Sequence, residues 1–367
     1  MKKQLLASTA LAAAGALAIA GPAFAQKMNK PTLKLSGWDE QIIGFANNKY
    51  PDNYTSHGNG VDAQTDSEIH FDADTVLDNG IRIHARVELE GNTSTDQIDE
   101  NWMRVSGSFG QIVVGSTDGA AKKMVTGYQG SWSAGVGQNL ALDVADWIEV
   151  PSGHVAGTDN EVTNDTDSEK MSYFTPRFEG FQLGASYIPG GSQDINNTPA
   201  TRSGADHGGF QVGADFDRKF GELGLGLAAG YSQMHDALNA DSALNKSWGG
   251  GIRLDFSGFR VGLGYVGRRD AADSTGGTTE GSSWDAGLRY TFGPNAVSLT
   301  GETVRRETSV SGPKDKTKLA MLSFRRTLGP GVNWTLNGMW AKYDGATAGT
   351  SDDNKGYAVT SSIKLNF

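Results

Sequence analysis

From Leu33 onward, apolar and polar residues alternate in short runs set apart by Gly, Asn, Asp and Pro. In Ile81–Glu90, Ile81, Ile83, Ala85, Val87 and Leu89 share one parity; Arg82, His84, Arg86, Glu88 and Glu90 share the other. A period of two over such a run gives a strand with one apolar and one wet face. Ser67–Leu77 repeats the pattern, and Asp78-Asn79-Gly80 between the two is a tight-turn signal, so they form a hairpin. The same reading places strands at 33–46, 65–77, 80–90, 98–109, 111–117, 168–175, 180–189, 208–219, 222–234, 246–256, 259–268, 281–292, 296–305, 316–327, 331–343 and 355–367.

The connections alternate. Short turns lie at 78–80, 109–110, 176–180, 220–221, 257–258, 293–295 and 329–331, and longer polar loops lie between them. All short turns therefore fall at one end of the strands and all long loops at the other. This is the signature of an up-and-down membrane barrel, all-β, with sixteen antiparallel strands. The ten prolines occupy the leader, turns, loops or strand ends, as a sheet ladder requires. Aromatics bracket the apolar faces at Trp248, Phe256, Tyr265, Trp284, Phe292, Trp340, Tyr357 and Phe367, the pattern of a lipid-facing girdle. The opposite faces carry Gly, Ser, Thr, Asn and charge, as at Gly249, Gly251, Arg253 and Asp255. A soluble sandwich would bury its apolar faces without aromatic brackets.

One stretch breaks the pattern. Thr117–Asp167 has no sustained period, holds five glycines before a patch Leu142–Glu149, and ends in the polar run Gly157–Asp167. Segments this long without structure are functional or disordered. The parity of the connections makes it the third long loop. Its first part is expected to fold inward, with Leu142–Glu149 as the narrowing; a linker-like reading survives for Gly157–Asp167.

Composition adjusts this picture. Lys2, Lys3, the apolar run to Ala20 and the small-residue site Ala23-Phe24-Ala25 give a signal peptide at 1–25, leaving 26–367 as the barrel domain. Its removal takes the 32 basic residues to 30 against 42 acidic, so the formal charge falls from −10 to −12. That balance argues against nucleic acid as a partner. No later apolar run reaches the ~18 residues of a spanning helix, and a mean hydropathy of −0.41 suits alternating membrane strands. There is no cysteine, so disulfides and thiol chemistry are absent. Gly, at 50 of 367, is about twice average usage and points to turns and closely packed strands.

Ser106–Ala120 resembles the Phe-Gly turn and following strand of the Gram-negative general porins, and Tyr173–Tyr187 looks like the hairpin after their constriction loop. The terminal strand Tyr357–Phe367 resembles the ending read by the outer-membrane assembly machinery. The resemblance covers the chain after the leader. It implies a homotrimer in the bacterial outer membrane, in contact with lipid and lipopolysaccharide, passing ions and small hydrophilic solutes past an infolded third loop. It also implies acidic constriction residues at Asp118, Asp143, Asp146 and Glu149, and a facing wall of Lys34, Arg82, Arg86 and Arg104. Arg82 and Arg86 have the polar parity; that of Arg104 is poor, because both Trp102 and Met103 could face lipid. Many members carry an Arg where this chain has Ser116, which with the acidic balance suggests a cation preference. The competing reading has the loop carboxylates capping loop backbone or pairing with Lys122 and Lys123.

Enzymatic chemistry finds no support. Gly262–Gly267 matches a dinucleotide fingerprint but lies within an alternating strand with no helix after it. The six histidines lack metal-ligand spacing, and His70 and His84 read as lumen-facing polar residues. Asp159, Asn160, Asp165, Asp167 and Glu169 offer oxygen ligands for a structural Ca²⁺ but lack the spacing of a calcium loop; a solvated face is the plainer reading, and no cofactor is expected. Two alternatives stand beside the passive pore: a channel selective for one nutrient class, and a structural or adhesive barrel plugged by its long loop.

Overall fold

The computed structural model describes residues 30–367 apart from 50–57, 94–96, 138, 141, 158–159, 166, 191–207, 236–243, 272–276 and 347–352; the expected signal peptide lies outside the described residues. The strands are β1 (Thr32–Asn48), β2 (Gly60–Val76), β3 (Arg82–Glu90), β4 (Ile98–Gly107), β5 (Gly110–Ser116), β6 (Glu169–Phe174), β7 (Phe181–Ile188) and β8 (Gly209–Phe220). They continue as β9 (Leu223–His235), β10 (Leu244–Phe256), β11 (Phe259–Ala271), β12 (Thr278–Phe292), β13 (Asn295–Glu307), β14 (Lys314–Gly329), β15 (Val332–Asp344) and β16 (Asn354–Asn366). Each pairs antiparallel with its sequence neighbours, and β1 pairs with β16 from Trp38↔Asn366 to Asn48↔Gly356, closing a sixteen-stranded barrel. Closure leaves no sheet edge, which a structure spanning hydrocarbon needs.

Alternation located every strand, with ends displaced by up to five residues. The ladder runs further than expected toward the long loops: β2 begins at Gly60 instead of 65, and β11 continues to Ala271 instead of 268. There the strands leave the apolar band and both faces are wet, so pairing continues where alternation has stopped. The girdle aromatics point outward, with Trp284 59% exposed and Phe256 54% exposed. Tyr265 and Trp284 meet at 4.6 Å in one aromatic row, and Phe259 stacks on Tyr290 at 4.4 Å in the other.

The barrel is not hollow along its length. Between β5 and β6 the chain turns inside and forms α1 (Ala120–Val125), a 3₁₀ turn (Thr126–Tyr128), α2 (Gly130–Ala134) and α3 (Asp143–Trp147). These helical turns were hidden from periodicity because each is five or six residues long. Many of the glycines explain how the segment fits. A Cβ on Gly287 would collide with the Gly130 carbonyl, and one on Gly251 with the backbone of Tyr128 and Gln129. A Cβ on Gly262 would come to 2.8 Å from Gly130 Cα, and one on Gly213 to 2.9 Å from the Ala120 carbonyl. The glycine excess therefore bares the inner wall as well as serving the turns.

The lumen wall also departs from the expected polar face. Ile42, Ala46, Leu319, Met321, Met339, Ala341 and Tyr343 point inward and bury Leu140, Val144, Trp147 and Ile148 of the segment. A pore filled with water makes this burial favourable, at roughly 1.5–3 kcal/mol per large side chain. The sequence signal was present: on β14 and β15 both parities are apolar at Leu319-Ala-Met-Leu322 and Met339-Trp-Ala341.

Side chains at Gly251 and Gly287 should unseat the segment, because overpacking costs about 1–3 kcal/mol per site. Gly251→Leu with Gly287→Leu is expected to keep the folded gel migration of the barrel while protease cuts appear within 117–168. Resistance equal to the parent's would contradict the seat.

Candidate functional site

The wall supplies the hydrogen bonds that so short a set of helices cannot supply for itself. At the start of α1, the Ala120 N–H donates to Ser186 Oγ at 2.8 Å and the Ala121 N–H to Gln211 Oε1 at 3.0 Å. At α2, the Ser131 N–H and hydroxyl both donate to Asp285 Oδ2, at 2.8 and 3.0 Å. Further on, the Val136 N–H reaches Ser298 Oγ and the Glu149 N–H reaches Asn48 Oδ1, each at 3.1 Å. The segment thus travels the inner wall from β7 round to β1.

It then returns nearer the long-loop ends of the same strands. Thr317 donates to the Ala156 carbonyl. Asn160 Nδ2 reaches Glu302 at 3.4 Å, and Asn164 Nδ2 donates to the carbonyls of Ser232 and Asn245 at 3.0 and 3.2 Å. Val162 is fully buried. The linker-like reading of Gly157–Asp167 is corrected for the described residues: polar composition there serves wall contacts. Lys170 closes the root, its buried Nζ donating to the carbonyls of Thr117 and Ser168 and pairing with Asp165 at 2.9 Å.

The loop acids occupy different situations. Asp118 pairs with Lys122 at 2.9 Å, and Lys122 also meets Glu161 of the returning arm at 3.1 Å. Burial lowers the Lys122 ammonium, but the two carboxylates outweigh it and hold the group above the usual lysine range. Asp143 accepts from the Asn139 N–H, and burial, aided by Asp146, Asp66 and Glu40, pushes its carboxyl up to about 7. Asp146 is exposed; desolvation and then Asp66 raise its carboxyl. Glu149 is anchored through its backbone to Asn48, and the Asn354 amide donates to its carbonyl at 2.7 Å. For Asp118 and Asp143 the capping-and-pairing alternative describes the contacts.

On the wall, cross-strand register sets the partners. Lys34, Asp72, Arg86 and Trp102 fall in one row across β1–β4, and Asp74, His84 and Arg104 in the next across β2–β4. Arg82 pairs with Asp74 at 2.8 Å; Arg86 pairs with Asp72 at 2.7 Å and Glu88 at 3.2 Å. His84 lies between Asp72 and Asp74 at 3.2 and 3.1 Å, and His70 meets Glu68 at 2.7 Å. Lys34 is exposed. Arg104 does face the lumen, because Trp102 shares its parity and points inward while Met103 is 49% exposed on the outside. Arg86, Arg104 and Lys123 surround the Trp102 ring at 5.7–5.8 Å. Arg82 and Arg86 of the expected basic wall therefore belong to a ladder of ion pairs, while Lys34 and Arg104 form none among the described residues. Single-strand parity could not show this; it needed the register of β2 against β3.

Among the described residues, the suggested calcium cluster does not assemble. Asp159 lies outside the described residues. Asp165 is held by Lys170, Ser168 and Gln211. Asp167 gathers instead with Glu100 and Asp118, and burial and then Asp118 push its carboxyl up to about 7.

A closed sixteen-stranded barrel with an aromatic-banded exterior and a chain segment seated inside defines an outer-membrane channel architecture. The Gram-negative porin family model matches residues 7–347, and the chain belongs to that family. It is 25% identical over 298 residues to the major outer membrane protein of Pasteurella multocida, covering 79% of this chain and 81% of that one. Among solved structures it is similar to the anion-selective porin from Comamonas acidovorans, with a TM-score of 0.60 at 14% identity, covering 92% of this chain and all of that one. It is also similar to the trimer form of OmpT, an outer membrane protein of Vibrio cholerae, with a TM-score of 0.58 at 12% identity and 92% and 100% coverage. The protein is a porin of the bacterial outer membrane.

Asp143 makes the seat sensitive to pH. Its folded value of about 7 lies above the ~3.9 of an unfolded aspartate. A raised carboxyl favours the seated state most below the unfolded value, and that contribution is lost as pH rises from about 4 to about 7. Protease resistance of 117–168 should decline across that window in the parent and decline less in Asp143→Asn; identical profiles would exclude Asp143 as the source.

Proposed function

We propose that this porin is a passive diffusion channel for ions and small hydrophilic solutes, narrowed by the 117–168 segment. One observation carries the reading. The helices of the segment pack on β6–β13 and β15, with α2 on β11 and β12, eight strands round the barrel from the charged face of β3 and β4. A pore bounded by the loop on one side and that ladder on the other is size-limited by geometry and charge-filtered by its lining. Asp146, with Asp143 and Glu149 nearby, biases passage toward cations at the loop tip. A passive channel needs no reacting group, and the wall charges are engaged mainly with one another.

We also propose a homotrimer. β5 and β6 have 7 and 6 residues, which at ~3.3 Å rise and ~40° tilt reach only about 15–18 Å. That falls short of a lipid-facing band of ~25 Å, so this side of the barrel requires protein cover. Beside it, Asp39, Gln41 and Thr65 form an outward hydrogen-bonded polar row. The outward aromatics elsewhere would meet lipid and lipopolysaccharide, and the strand ending at Phe367 would serve recognition by the assembly machinery.

In planar bilayers the protein should open in groups of three equal steps. Replacing Asp143 and Asp146 with Asn and Glu149 with Gln should move the reversal potential in a salt gradient toward anion preference, with heat-stable trimer migration retained. An unmoved potential would remove these carboxylates from the filter, and absence of current would remove the channel reading in favour of a plugged barrel.

A further inference from the structure

Beneath α2, toward the short-turn ends of the strands, the inner wall carries arginines that the seated segment leaves largely unengaged. Arg260 and Arg289 are direct cross-strand partners on β11 and β12, and Arg325 lies opposite Ala296 on the neighbouring pair β13 and β14. Like charges placed directly opposite are unfavourable unless something lies between them. Arg260 is relieved by Asp255 at 2.5 Å and donates to the Ser133 carbonyl at 3.2 Å. Asp255 is already shared with Arg253 at 3.0 Å. Among the described residues, Arg289 and Arg325 form no ion pair, and the buried Nε of Arg289 has no hydrogen-bond partner. A buried donor without an acceptor is costly, and guanidinium forks side by side are suited to a ligand with several anionic oxygens. Space is available at one end of the row: Arg260 and Arg289, with Asp255, Lys219 and Thr291, line a depression of about 290 Å³, and Arg325 stands two strands from Arg289, outside that lining.

We propose that this row is an anion-binding site on the periplasmic side of the seated segment, taking a small dianion through carboxylate or phosphate oxygens. It rests on the channel reading and deepens it, giving a passing anion a holding point below the narrowing. Lys219 at the rim and Arg253 beside Asp255 add to the field, while Asp255 and Glu222 set a limit on it.

The test is equilibrium binding to the detergent-folded full chain by titration calorimetry at low salt, with succinate in one arm and inorganic phosphate in the other. Saturable binding of either is expected, and the stronger arm identifies the oxyanion. Arg289→Gln with Arg325→Gln should weaken it at least ten-fold, whereas Arg218→Gln, on an exposed arginine paired with Glu179, should leave it unchanged. Should the double variant fail to fold, Arg325→Lys, which keeps the charge and loses the fork, should weaken binding several-fold. Absence of saturable binding in both arms, or affinity unaffected by the row variants, would overturn the site. A protein that conducts without binding overturns this site alone; one that binds without conducting overturns the channel reading alone.

Discussion

Backbone lying directly on backbone is the contact on which the interior depends. The outgoing arm of the 117–168 segment passes so close to β8–β12 that the wall residues beneath it must lack a Cβ, as at Gly213, Gly251, Gly262 and Gly287. Close approach brings wall side chains within reach of the segment's unpaired N–H groups, so Ser186, Gln211, Asp285 and Ser298 cap what the short helices cannot. It also lets Trp147 sit over Gly44, where a Cβ would lie 2.5 Å from its ring. Glycine in a strand weakens the strand on its own account; here the closed ladder carries that cost.

The two faces of the barrel obey different solvents. Outside, aromatic and aliphatic side chains are exposed, the stable arrangement for a barrel set in a membrane. Inside, the solvent is water, so apolar residues gather as in any soluble core and hold the segment's tip. Charged residues in the same lumen are organised across strands, Asp72 with Arg86 and Asp74 with Arg82, which reduces their mutual repulsion; Asp146 and Lys34 remain exposed, and Arg104 is half-buried without an ion pair among the described residues.

The barrel was legible because alternation over eight or more residues admits few readings, and the order of short and long connections fixed its topology. Interior details were less legible for identifiable reasons. Each helix in the segment is too short to show a period, and its apolar side faces a wall remote in sequence. Trp102 was ambiguous from β4 alone because Trp102 and Met103 are both apolar neighbours; pairing with Arg86 resolves it. The partners of Arg82 and Arg86 lie on β2, so no single-strand reading could have distinguished a bare cation from a paired one.

The claim that the segment lies seated within the barrel can be tested by position. The chain has no cysteine, so an introduced pair reports only on itself. Gly137 lies against Asn337 and Ser323 of the inner wall, and a Cβ there would contact the Asn337 side chain. Oxidation of Gly137→Cys with Asn337→Cys in the folded protein should form an intramolecular disulfide nearly completely, with single-channel conductance unchanged by the bond. No bond under oxidation, or a bond that alters the current substantially, would show that the segment rests elsewhere in the open protein.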